Sequence, residues 1–491
     1  MTIHWTISSL EIYSNFMHNE QVYTPSKVVN FILDNVGFDN RCGIEGKHII
    51  DNSCGNGNFL VEIVKRIFQF IPNIDREYLE TYVHGIEIDE PAYNETIVRL
   101  NKIAIEHNIN YVKWDIKNSN ALTTTDFDKR MDYVVGNPPY CNVHHMPKEI
   151  YDILKTKFLF CRDGMTDLYI GFFEKGLQML KTDGILGYIT PNSWLNSKAG
   201  MRLRDFLYER NLLTEIFNFD TDKVFKEATT FTCVAILRSK NTNNDIVVYH
   251  GGFEGIHNYK EYRFINKEDL FINGNIMTGQ MNYGIREILN YKVQNKEKCF
   301  VVKNGLATLK DKLFIIDPDT VAIFTELDNI NRCIKASKGE YKYIIYPYDE
   351  KGEPISYNDL RLYAQEILEI RAGSLNIDKS RDDWYLYGRT QAIKDNGKYR
   401  ISCNNLIRDK DDIILRRLWP NTAVYSGFYI MRKGMPQNGL TLMEMFTKIE
   451  GAMKTDTFIR YVKSLGKSKN GKYYTFTTKD LEKFLNYFYK I

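Results

Sequence analysis

Residues 131–140 read Met131-Asp132-Tyr133-Val134-Val135-Gly136-Asn137-Pro138-Pro139-Tyr140. The first six are mostly apolar and β-favouring, so a strand is expected to end where the double proline begins. Each proline locks its φ near −65° and removes an N–H. The residue before a proline is held extended. The turn therefore aims the Asn137 amide and the Tyr140 ring in fixed directions at the carboxyl end of a strand, where open α/β sheets bind ligands. An amide oxygen beside main-chain carbonyls accepts hydrogen bonds from an amino group, and an aromatic ring stacks on a planar heterocycle. Together they suit an exocyclic amine on a nucleobase.

The chain on either side supports a sheet. Further strands are expected at His48–Ser53, Tyr82–Ile88, Tyr111–Asp115, Ile185–Thr190, Glu215–Phe219 and Phe231–Arg238. Amphipathic segments at Phe59–Phe68, Tyr93–Glu106, Leu168–Leu180 and Gly200–Glu209 alternate with them. That alternation indicates βαβ units and a mostly parallel sheet. The short connection before the last strand allows an antiparallel pairing there. The polar stretch Ser239-Lys240-Asn241-Thr242-Asn243-Asn244-Asp245 breaks the pattern, and a domain boundary is expected there. The expected domains are 1–240 and 241–491.

The first strand runs into Asp51-Asn52-Ser53-Cys54-Gly55-Asn56-Gly57-Asn58-Phe59-Leu60. Two glycines after a strand let main-chain N–H groups approach a ligand, and the next helix start adds donors. A G-x-G alone is a weak signal that serves NAD, FAD, S-adenosylmethionine or merely a tight βα turn. Leu60 stands where a dinucleotide fingerprint needs its third glycine, which tilts away from dinucleotides. The second strand ends Gly85-Ile86-Glu87-Ile88-Asp89, where Glu87 is placed to accept ribose hydroxyls. Asp115, read as ending the third strand, is placed to accept from an adenine amino group or simply to cap a turn. Thr24, before Pro25, either touches a cofactor carboxylate or N-caps the helix that follows.

Composition sets bounds. At 491 residues, two or three domains are expected. No run of 18 apolar residues occurs, so no membrane span is expected. The N-terminal residues do not read as a signal peptide. The eight cysteines form no C-x-x-C pair, which argues against a zinc site or a disulfide framework. No metal is expected, and a reducing cytoplasm fits. Residues 1–240 carry 26 Lys and Arg against 31 Asp and Glu, whereas 241–491 carry 39 against 31. The excess positive charge in the second half fits contact with a polyanion, or a plain solvated surface.

Taken in order, Tyr23-Thr24-Pro25, Asp51…Cys54-Gly55-x-Gly57-x-Phe59-Leu60, Gly85-x-Glu87-x-Asp89 and Asn137-Pro138-Pro139-Tyr140 resemble the gamma class of DNA amino-methyltransferases. Thr190-Pro191-Asn192-Ser193-Trp194-Leu195 and Val224-Phe225 before the last strand are similar to that family too. The resemblance covers residues 15–240 well. In the second half, Gly305-Leu306-Ala307-Thr308, Tyr346-Pro347-Tyr348-Asp349 and Trp384…Gly388-Arg389-x-Gln391 look more loosely like the specificity domain of restriction-modification adenine methylases.

The resemblance implies a seven-stranded Rossmann-like α/β methyltransferase domain followed by an α+β DNA-recognition domain. It implies S-adenosylmethionine as cofactor. Asp51 and Cys54 would lie beside its methionine part, Gly55 and Gly57 along it, and Thr24 at its carboxylate. Glu87 would bind the ribose and Ile88 pack on the adenine, with Asp115 and Ile116 flanking that base. Asp167 and Leu168 would help wall the pocket. Asn137 and Pro138 would accept the target amine N–H groups, with Pro139 fixing the turn. Tyr140 would stack on the flipped base, and Phe225 would form a second wall. Arg389 and Gln391 would read base edges or belong to a structural cluster. Lys467, Lys469 and Lys472 would contact phosphates.

The implied activity is site-specific transfer of a methyl group to adenine N6 in double-stranded DNA, by a monomer of the prokaryotic cytoplasm and nucleoid. The protein would be an orphan methylase or would act beside a separate cognate restriction endonuclease. N4-cytosine methylation is chemically close, but asparagine rather than serine at 137 favours adenine. A combined restriction enzyme and methylase is the other alternative. With methylase motifs beginning within the first 25 residues, no N-terminal nuclease is expected for it.

Overall fold

In this computed structural model, the described residues are 24–489, without 142, 144–145, 220–223, 226–230, 280–282, 293–297, 322–327, 435–437, 466 and 470–472; the side chains of 259, 283, 468 and 469 are also left aside. The chain divides into two compact units, residues 1–279 and 280–491. Among the described residues no helix is long and apolar enough to cross a membrane.

Unit 1 is built on one nine-stranded sheet. Its strands are β1 (Ile49–Asp51), β2 (Val83–Glu87), β3 (Asp115–Asn118), β4 (Met131–Gly136), β5 (Leu180–Pro191), β6 (Leu213–Asn218), β7 (Thr232–Arg238), β8 (Asp245–His250) and β9 (Arg263–Asn266). The spatial order is β3-β2-β1-β4-β5-β7-β6-β8-β9. The five strands from β3 to β5 pair in parallel, and β7 runs antiparallel between β5 and β6. The order reverses between β1 and β4, as a doubly wound sheet requires at its ligand-binding edge.

Successive strand residues point to opposite faces, and both faces are covered. Ile50, Val134, Leu186 and Ala235 face a core that includes helix Leu168–Met179. Ile49, Val135, Ile189 and Val234 face the other core, covered by α1 (Ser26–Val36), α2 (Asn58–Phe70) and α3 (Glu90–Glu106). In α2, Phe59, Leu60, Ile63, Val64 and Ile67 form one buried stripe at helical spacing. Each such fully buried side chain contributes about 1.5–3 kcal/mol relative to exposure. Gly57, at φ +84°, is the N-cap of α2, and a Cβ there would come within 2.9 Å of the Thr96 hydroxyl. Only glycine serves that turn.

Three expectations change. The sheet has nine strands rather than seven. The polar stretch Ser239–Asp245 does not end it, because β8 returns to pair in parallel with β6 and β9 then pairs with β8. Unit 1 therefore runs to Gly279. The third strand begins at Asp115 instead of ending there. Tyr111 takes a left-handed φ of +58° and is exposed, which keeps the preceding aromatic stretch out of the sheet.

Unit 2 mixes short strands and helices. One four-stranded sheet joins Phe300–Asn304, Phe428–Arg432, Arg400–Cys403 and Leu415–Leu418; another joins Ile315–Ile316, Glu340–Ile345, Ile330–Lys335 and Thr422–Tyr425. A three-stranded sheet joins Leu406–Ile407, Tyr473–Thr475 and Ser468–Lys469.

Candidate active site at the carboxyl edge of the sheet

The carboxyl ends of β1, β2 and β4 converge. Asp51 ends β1, fully buried, and its carboxylate accepts the Ser53 N–H at 3.0 Å. Gly136 ends β4 with φ +154°, and a Cβ there would fall 2.7 Å from the Asp51 Oδ1. Glycine at 136 thus lets the two strand ends meet. Burial pushes the Asp51 carboxyl up to about 8, against the pull of the Ser53 N–H, and the nearby Glu87 adds to the rise.

Glu87 binds the glycine turn to the tip of β2. One carboxylate oxygen accepts the Gly55 N–H at 2.7 Å, and the other accepts those of Ile88 and Asp89 at 2.9 and 2.8 Å. Burial nevertheless raises its pKa. Cys54 donates its N–H to Ile86 O at 3.0 Å, and its buried thiol is pushed well up, so it is no thiolate. Thr96 donates to Gly55 O at 2.8 Å. Thr24 is buried, and its carbonyl accepts from Asn58 Nδ2 at 3.1 Å. Its side chain is not the helix cap, because Pro25 is the N-cap of α1 and no side chain caps it.

A cleft lies between these groups, lined by Asn52, Ser53, Glu87, Ile88, Asn120 and Pro139 among others. Asn120 is the residue the sequence reading missed. It is 5% exposed, and its Oδ1 accepts the Leu122 N–H at 2.9 Å, while its Nδ2 has no partner among the described residues. An unpaired buried donor beside Glu87 and Ile88 fits a ring-nitrogen acceptor. The available signal was the turn-forming run Asn118-Ser119-Asn120 after Ile116.

Asp115 and Ile116 do not flank this cleft. Asp115 sits at the opposite edge of the sheet, paired with His84 at 2.8 Å, and that partner holds its carboxyl below the ordinary range. Ile116 is packed in the core on the α1 side. The cleft is narrow, about 30 Å³, room for about one water. Its donors and acceptors fit an adenosyl group, but a ring enters only if the walls part.

Across β1 stands the proline turn. The Tyr140 hydroxyl donates to Asn137 Oδ1 at 2.6 Å and reaches Ile189 O at 3.4 Å. The Tyr140 ring meets Tyr169 edge-on, with centroids 6.2 Å apart. Burial raises its hydroxyl pKa well above the usual value, so it stays a donor. Pro138 O accepts no hydrogen bond among the described residues.

Asp167 and Leu168 hold the exit of this turn instead of lining the cleft. Asp167 Oδ1 accepts the Cys141 N–H at 3.0 Å, and the Leu168 N–H donates to Cys141 O at 3.0 Å. Phe225 packs in the core on the α1 side, whereas Tyr140 packs against the opposite core. The structure does not bring these two rings together.

In unit 2, Arg389 and Gln391 are exposed on the wall of a second cavity. Lys467 is not a free phosphate contact: its ammonium bonds Asp480 at 2.7 Å, and Asp480 belongs to the capping box of helix Thr478–Phe488. Lys469 lies in a strand, its side chain outside the described residues, and Lys472 lies outside them altogether.

Residues 54–225 match the family model described as Eco57I restriction-modification methylase. The chain is 28% identical to the type II restriction enzyme and methyltransferase RM.Eco57I of Escherichia coli, over 76% of this chain and 48% of that protein. It thus spans about half of that relative's length. It is 25% identical to the type II methyltransferase M.BstVI of Geobacillus stearothermophilus, over 76% of this chain and 74% of that one. Its fold is similar to that of the type IIL restriction-modification enzyme MmeI, solved in complex with DNA, with TM-score 0.57 and 14% identity over 96% of this chain and 67% of that one.

Proposed function

We propose that this chain is a DNA methyltransferase of restriction-modification type that uses S-adenosylmethionine and methylates the N6 amino group of an adenine. One observation carries the reading: Asn137 Oδ1 and Pro138 O, two acceptors suited to one amine, stand at the end of β4, while the glycine turn, Glu87 and Asn120 stand at the neighbouring ends of β1 to β3. When bound, S-adenosylmethionine supplies an electrophilic methyl group. Gly55, Glu87, Ile88 and Asn120 would hold its adenosyl part, and Asp51 its positively charged part.

An adenine amine is poorly nucleophilic because its lone pair is delocalised into the ring. Asn137 Oδ1 and Pro138 O would each accept one amine N–H, drawing electron density onto the nitrogen as it pyramidalises. Acceptors already in place stabilise the developing positive charge without reorganisation. The target base has to leave the duplex, which costs a few kcal/mol. Stacking on Tyr140 returns about 1–3 kcal/mol. The proton leaves after transfer, so no strong general base is needed.

The chain should transfer labelled methyl from S-adenosylmethionine to double-stranded DNA, with N6-methyladenine in the digest, and Asn137→Ala should abolish transfer. N4-methylcytosine alone would replace the adenine assignment. A second reading, a combined restriction enzyme and methyltransferase, is supported by the name of one relative, which this chain matches over 48% of that protein. Magnesium-dependent cleavage of unmethylated DNA by this chain would establish it.

A further inference from the structure

The unit 2 cavity has a volume of about 670 Å³ and is bounded by three backbone segments, 304–309, 389–391 and 425–427. Main-chain hydrogen bonds stitch the segments together. The Gly305 N–H donates to Gly427 O at 2.9 Å, the Leu306 N–H to Val424 O at 2.6 Å, and the Arg389 N–H to Ala307 O at 3.1 Å. At Gly305 a Cβ would lie 2.6 Å from the Val424 carbonyl oxygen, so the walls close only on glycine.

Backbone strain gathers at the same place. Among the described residues, four that are neither glycine nor asparagine take a left-handed φ: Tyr111, Lys129, Leu309 and Ser426. Two of the four, Leu309 at +57° and Ser426 at +55°, line this one cavity. Such conformations persist where surrounding structure over-determines them, and they cluster at ligand sites.

Into this rigid frame the chain sets an exposed guanidinium and an exposed amide, Arg389 and Gln391, neither with a side-chain partner among the described residues. A guanidinium fork matches a planar pair of acceptors. Asp311 also lines the cavity. Its carboxylate would repel a phosphodiester, whereas a base edge has no net charge. In the major groove, guanine O6 and N7 are the acceptor pair for arginine, and adenine N6 and N7 form the pair for glutamine.

Resting on the reading of DNA as substrate, we infer that this cavity reads the major-groove edge of the recognition sequence. Arg389 takes a guanine, and Gln391 takes an adjacent base pair.

The test uses the full chain and the variants Arg389→Ala, Arg389→Lys and Gln391→Ala, each expressed in a methylation-free host. Modified sites are mapped by sequencing. Transfer rates are measured on oligonucleotides carrying single base-pair changes, at low and high salt. The inference expects both Arg389 variants to lose roughly 10- to 100-fold on the cognate site. Discrimination should collapse at one guanine position, with the salt dependence unchanged. Gln391→Ala should relax a neighbouring position. Arg389→Lys that keeps full discrimination, with Arg389→Ala weaker on every sequence alike and a salt slope lower by about one, marks a phosphate contact and overturns it. So does an unchanged recognition motif in all three variants. Absence of DNA methylation by the unsubstituted chain removes the underlying reading of the substrate, a separate result.

Discussion

The Tyr140 hydroxyl donates a hydrogen bond of 2.6 Å to the Asn137 side-chain oxygen. The ring proposed to stack on the base thus also holds the acceptor proposed for its amine. A carbonyl oxygen has two lone pairs and can accept more than one hydrogen bond. Tyr140→Phe keeps the ring and removes the donor. A net hydrogen bond is worth about 0.5–1.5 kcal/mol, so kcat should fall about 2- to 10-fold with the KM for DNA nearly unchanged. Tyr140→Ala should lose more, and should raise the KM for DNA, because the stacking face goes too. Equal losses for Phe and Ala would separate the hydroxyl bond from any role for the ring.

Asp51, proposed to face the positive charge of the cofactor, should make cofactor binding pH-dependent. Burial places its folded-state pKa at about 8, above the ordinary 3.8. The folded protein therefore holds a proton that the unfolded chain has released. The stability this provides is complete below the ordinary value and is lost as pH rises through about 8. A ligand bringing positive charge needs the ionised carboxylate. Thermal stabilisation by S-adenosylmethionine should therefore grow as pH rises toward about 8 and then level off. Asp51→Asn should bind more weakly and flatten that profile. A parallel profile in the variant would assign the titration to another group.

Asn120 Nδ2 is a buried donor without a partner among the described residues. Leaving such a group unsatisfied costs about 1–3 kcal/mol. A cofactor ring nitrogen that accepts from it recovers this amount. Asn120→Asp keeps the acceptor for Leu122 but removes the donor, so affinity for S-adenosylhomocysteine in calorimetry should fall about 10- to 100-fold. An unchanged affinity would move the adenine ring elsewhere.

Local features were legible in the sequence and long-range pairings were not. Strand β4 and its turn follow from an apolar run meeting two prolines. The α2 stripe follows from helical spacing. Tyr111, Val112 and Trp114 favour strands and so predict the third strand too early, while the edge strand β3 has a single buried residue, Ile116. Strand β8 pairs Val248 with Ile216, more than thirty residues earlier, and nothing in the local composition marks that return. The unpaired Nδ2 of Asn120 and the partner of Lys467 exist only once the chain is folded.

Asp167 separates a cleft wall from a support of the turn. Its carboxylate accepts the N–H of Cys141, the residue after Tyr140, while the next N–H, of Leu168, returns to Cys141 O. Both bonds fix where the turn leaves the active site. Asp167→Ala removes a charge-assisted bond, worth about 1.5–3 kcal/mol. Displacing reacting groups by about 1 Å can cost roughly 100-fold in rate. The loss should therefore appear in kcat, about 10- to 100-fold, with the KM for S-adenosylmethionine unchanged. Asp167→Asn keeps an oxygen that accepts from Cys141 and should restore most of the rate. A residue lining the cofactor cleft would behave in the opposite way, raising that KM and leaving kcat near normal. Steady-state kinetics of the two variants against both substrates decides between these roles.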